Sequence, residues 1–150
     1  MDAVTYPDPT VAEFVQRNVV PLRVRWNDEK LAPQFNVKWT PTLVTLDEAG
    51  KEHHRTTGFM PPEELVSSLM LGIGKTHFDL DRHEEAATVL ASLVAGFPKS
   101  GSAPEALFTL GVAGYKAGHD PGRLKQAYER LAAEYPASEW TKRALPYRLL

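Results

Sequence analysis

The 150-residue sequence contains no cysteine, which excludes disulfides, thiolate metal sites and thiol nucleophiles. Nothing in it approaches the ~18–20 consecutive apolar residues of a membrane-spanning helix, and Met1-Asp2-Ala3 opens no secretory signal. These absences favour a soluble, cytoplasmic chain but identify no compartment. Runs of like charge are missing too. With 17 basic and 19 acidic residues the formal net charge is −2, and no basic tract attracts nucleic acid or anionic lipid. What is present is a globular balance, 43% hydrophobic and 24% charged, sufficient for one ordinary domain or two small ones.

The chain divides into unlike halves. In the first, Asp8 before Pro9 has the form of a helix N-cap with proline at the first helical position, and Val11, Phe14, Val15 and Asn18 continue with helical spacing. In "VVPLRVRWND", Val20, Leu22, Val24 and Trp26 alternate with Arg23 and Arg25, which predicts a strand with one buried face and places Trp26 in the core. A helical turn around Glu29–Phe35 leads to "KWTPTLVTLD", where Leu43, Val44 and Leu46 form a compact apolar strand. Gly50 in "EAGKE" supplies a hairpin turn, and residues 53–58 form a second, more polar strand suited to an edge.

From Pro61 onward the pattern is helical and repeats itself. Gly74 aligns with Gly111, Ala86 with Leu124, Leu90 with Tyr128, Leu93 with Leu131 and Pro98 with Pro136, a period of 37 to 38 residues. Each unit is a helix, a break at "DLDRH" or "AGHDPG", a second helix, and a terminating Phe97-Pro98 or Tyr135-Pro136. Small residues at Gly74, Ala86 and Gly111 allow paired helices to approach closely. A third unit begins at "SEWTKRALPYRLL". Leu65, Val66, Leu69, Ile73 and His77 keep helical spacing with no proline between Pro62 and Pro98, so one continuous helix, about 63–80, is expected to serve both halves.

These residues carry two resemblances. The segment from about Leu69 to Leu150 resembles tetratricopeptide repeats of a slightly long variety, with Met70 or Leu107 where a large aromatic is usual and Leu124 where a small residue is usual. "MDAVTYPDPTVAEFVQRNVVPLRVRWND" resembles the stretch that follows the Cys-x-x-Cys pair of thioredoxin-like domains, and Thr40-Pro41 resembles the pair containing that family's cis-proline. Together they imply an α+β, mostly helical chain: a truncated thioredoxin-like fold over residues 1–68, followed by two repeats and a partial third over 69–150. Met1 then falls where the motif's trailing methionine stands, and the dithiol segment is expected upstream of it. In the family sheet the missing strand would lie between the strands near Val20–Trp26 and Thr42–Leu46. Those two are therefore expected to close up as an antiparallel pair or to borrow a strand from another copy.

Two function classes follow. The first is a non-catalytic module that binds a peptide or protein partner, with Trp39, Thr40 and Pro41 as the candidate contact site and homodimer formation expected from the exposed edges. The second is a fragment of a thiol-disulfide oxidoreductase whose Cys-x-x-Cys lies upstream of Met1. No activity is expected of this chain, since exchange requires a thiolate.

Other residues are better read as structural, and no cofactor or metal is expected. His53 and His54 are adjacent on a strand, so their side chains should face opposite sides and cannot share a metal. His77 and His83 lack the spacing of a paired ligand site and are packing or surface residues. "GIGK" lacks the glycine spacing of a phosphate loop, and Glu63-Glu64 and Glu84-Glu85 complement helix N-termini.

Overall fold

The computed structural model describes all 150 residues. Helix α1, Pro9–Asn18, begins where the Asp8 carboxylate accepts the Thr10 and Val11 amides. Its buried Val11, with Phe14 and Val15 beside it, packs on Met60, Leu65 and Val66. A short helix α2, Leu31–Gln34, precedes the hairpin of β1, Thr42–Leu46, and β2, Glu52–Thr57, which form a two-stranded antiparallel sheet. The Asp47 carboxylate accepts the Ala49 and Lys51 amides in the turn, and Gly50 takes a φ of +80° that other residues resist. The Thr40–Pro41 bond just before β1 is cis.

Residues 20–26 do not form the expected strand. No backbone hydrogen bond is made by residues 20–24, and the apolar set of the alternation is exposed: 97% for Val20, 79% for Leu22 and 73% for Trp26. The reason lies in the neighbours. The sheet has only two strands, so the ribbon finds no ladder partner, and neither antiparallel closure on β1 nor burial of Trp26 occurs within the chain. Arg23 pairs with both oxygens of Asp2 at the surface, and residues 20–26 are exposed on both sides.

Helix α3 runs unbroken from Pro62 to Asp79 and packs on α1, both strands, α4 and α5. The repeats continue as α4, His83–Gly96; α5, Ala103–Gly118; α6, Gly122–Glu134; and α7, Glu139–Ala144, closed by a 3-10 turn over Leu145–Leu149. Close approach within each helical pair depends on glycine. A Cβ built on Gly74 would lie 2.6 Å from Leu90 Cδ2, and one on Gly111 would collide with the Ala127 Cβ. Leu71, Leu90, Leu93, Leu107 and Leu131 fill the repeat core, and the Tyr135 hydroxyl donates to the Pro98 carbonyl at 2.6 Å, tying the two aromatic-proline ends together.

Candidate functional site at the junction of sheet and repeats

The candidate site is assembled around α3. A groove of about 380 Å³ opens between β2, the Gly58–Pro61 connection, α3 and the N-terminal end of α5. Phe59, 60% exposed, together with Met60 and Leu71 gives it an apolar wall. Glu64 and Glu105 line the opposite side. The Glu64 carboxylate accepts the Gly101 amide at 3.0 Å, which holds the turn between α4 and α5 against α3, and Glu105 pairs with Lys75 at 2.7 Å.

The floor is a hydroxyl–imidazole cluster. Thr56 Oγ1 lies 2.7 Å from Ser68 Oγ, and His54 Nε2 lies 3.1 Å from the same oxygen. Burial, reinforced by the Lys75 charge, pushes the His54 pKa below the usual histidine range, and its Nε2 serves as a hydrogen-bonding group. Its polar atoms anchor β2 to α3.

His53 also reaches α3, contrary to the expectation that neighbouring strand residues face opposite sides. Thr45 pairs with His54 but Leu46 pairs with Glu52, so His53 is the extra residue of a β-bulge. A bulge re-aims one side chain, and here it turns both imidazoles toward the helix. His53 is buried, with Nδ1 2.7 Å from Asp79 Oδ2 and Nε2 3.0 Å from Asp47 Oδ2. Hydrogen bonds to Asp47 and then Asp79 raise its pKa, and the His53 bond lowers that of Asp47. The imidazole bridges two carboxylates, an ionic clasp, and no group of three or more His, Asp or Glu side chains is arranged to hold a metal ion. Nothing in the residue pattern announced this bulge; the missed signal was the aspartate at each end, Asp47 and Asp79.

Trp39, Thr40 and Pro41 are not among the residues that line the groove. Trp39 is 69% exposed; the Thr42 hydroxyl donates to its carbonyl at 2.6 Å, and the Gly58 amide donates to the Pro41 carbonyl at 2.8 Å. This second bond joins the proline turn directly to the residue preceding Phe59. His77 and His83 are packing residues: the His83 ring lies 5.2 Å from that of Phe78 in a tilted contact, and the Nδ1 atoms of both are buried without a partner. No helix is long and apolar enough to cross a membrane.

Residues 1–71 match the thioredoxin-like domain family, and residues 68–100 match the tetratricopeptide repeat. No curated protein and no solved structure matches the chain. The two matches overlap at residues 68–71, inside α3, so a thioredoxin-like match without a Cys-x-x-Cys pair runs into a tetratricopeptide repeat match on one helix.

Proposed function

We propose that the chain is a non-catalytic interaction module that holds an extended peptide segment of a partner protein in the junction groove, with Trp39, Thr40 and Pro41 as flanking contacts. The observation that carries this reading is the groove itself. Both halves build it, it combines an apolar wall with converging polar groups, and its lining is held by Glu64–Gly101 and by the His54–Thr56–Ser68 cluster. Preformed clefts of this kind bind at low ordering cost. Tetratricopeptide repeats generally serve protein–protein contact, which supports the same class of function. The lack of a thiolate supports the non-catalytic part.

Selection of a displayed peptide library on the purified chain tests the proposal. The expected result is a saturable peptide whose affinity drops about tenfold or more, ~1.4 kcal/mol, on Phe59→Ala and on Trp39→Ala. Selected peptides that bind both variants as well as the parent would overturn it, as would the failure of any peptide to bind saturably. The reading also includes a homodimer in solution, supported by the exposed apolar side of residues 20–26.

A further inference from the structure

We infer that the homodimer forms by reciprocal strand exchange: the Val20–Trp26 ribbon of each copy pairs with the free edge of β1 in the other. This rests on the self-association reading and specifies its surface. Each copy carries both halves of such a contact. The ribbon brings unpaired amides and carbonyls at residues 20–24, and β1 is bonded to β2 on one side only. Unpaired extended backbone with an apolar face is a template for another strand.

The occupant follows from geometry and charge. Residues 20–24, which make no backbone hydrogen bond, would span about 17 Å when paired as a strand, the length of the five-residue β1. Asp2 holds the Arg23 guanidinium to its own chain, and Val20, Leu22, Val24 and Trp26 are all exposed, free to meet an apolar surface. On the receiving side Leu46 is exposed and Val44 half-buried, and Glu48 in the adjoining turn is exposed and free to meet the ribbon's Arg25. A donor and an acceptor on every copy close as a twofold pair and leave no open end for fibre growth, which one-way donation would leave. A second copy of this chain satisfies all these requirements at once.

Sedimentation velocity across a concentration series, with backbone hydrogen exchange of residues 20–26, tests the inference. Val24→Pro removes an amide that has no partner within the chain, so it leaves the fold of the single copy intact, to be checked by thermal unfolding, while deleting a ladder bond. The expected result is a parental dimer with slowed exchange at residues 20–26, and a Kd raised about tenfold or more in Val24→Pro. A parental dimer that Val24→Pro leaves unchanged, or whose ribbon exchanges freely, overturns strand exchange and leaves self-association standing. A parental monomer at every concentration overturns both.

Discussion

The His53 Nδ1 atom stands 2.7 Å from Asp79 Oδ2, joining the hairpin to the last turn of α3 across 26 residues of sequence. Asp47 grips the other ring nitrogen while its second oxygen organises the hairpin turn, so one imidazole couples the turn, the bulge and the helix end. The carboxylates facing it are Asp47 from the hairpin turn and Asp79 from α3. The His53 and Asp47 side chains are buried, so their bond is shielded from solvent far more than a surface pair, whereas Asp79 is 42% exposed and its share is partly screened.

Removing this clasp has a pH signature. A raised folded pKa means that the His53 contribution is fully present below the unfolded value of about 6.5 and is lost as pH climbs through the folded value. The lowered Asp47 pKa contributes stability above about 3.9, lost as pH falls through its folded value. Half-buried His54 and His77, with lowered values, act in the opposite sense below about 6.5, in the parent and the His53 variant alike. His53→Gln should cost about 2–3 kcal/mol between pH ~4 and ~6.5, and the gap should narrow on both sides of that window. Thermal unfolding of both proteins at several pH values checks this; a gap independent of pH would show that the imidazole is uncharged in the fold.

Glycine positions sort by what a side chain would meet. Gly74→Leu drives carbon atoms into the Leu90 side chain and should destabilise by about 3 kcal/mol or more. Gly96, the last residue of α4, has nothing within 4 Å of a built Cβ, and Gly96→Ala should stabilise by ~0.5 kcal/mol through the unfolded chain. Urea unfolding of both variants is the measurement, and equal effects would mean that the α3–α4 approach is not limited by Gly74.

Thiol chemistry offers a direct check on the non-catalytic reading. Purified protein should not accelerate the reduction of insulin disulfides by dithiothreitol above the uncatalysed rate, since no side chain supplies the attacking sulfur anion. Acceleration retained on repurification would require a different reaction chemistry.

Much of the helical architecture was legible in local pattern. The Asp8-Pro9 cap, the repeat period and the uninterrupted apolar spacing from Leu65 to His77 each reflect forces acting within one or two turns, and α1, α3 and the repeat helices follow them. Strand formation is different because it depends on a partner. Val20–Trp26 has the alternation of a strand but no neighbour, so its apolar side stays exposed. The groove and the clasp were hidden for a related reason. Both bring together residues distant in sequence, such as Glu64 with Gly101 and His53 with Asp79, and the clasp depends on a bulge set by pairing register. The Pro41 carbonyl accepts the Gly58 amide between groove-lining Thr57 and Phe59, a link that composition does not encode.

The last prediction concerns how firmly the sheet sits on α3. A Cβ at Gly72 would collide with Thr45 Oγ1 and lie 3.0 Å from Thr45 Cβ, so the helix and β1 meet with almost no space between them. Gly72→Ala gains up to ~1 kcal/mol of helix propensity, yet overpacking costs about 1–3 kcal/mol, and the net effect should be destabilising. Thr45→Ala removes the hydroxyl and methyl that the new carbon strikes but leaves its own Cβ, so the double variant should recover part of the loss. A coupling energy on the order of 1 kcal/mol in the double-mutant cycle is expected, because residues in direct contact depart from additivity. Strict additivity would mean that the hairpin moves freely away from α3. Because Thr56 and His54 reach the groove from the same hairpin, Gly72→Ala should also weaken peptide binding, and Thr45→Ala should restore it in step with stability.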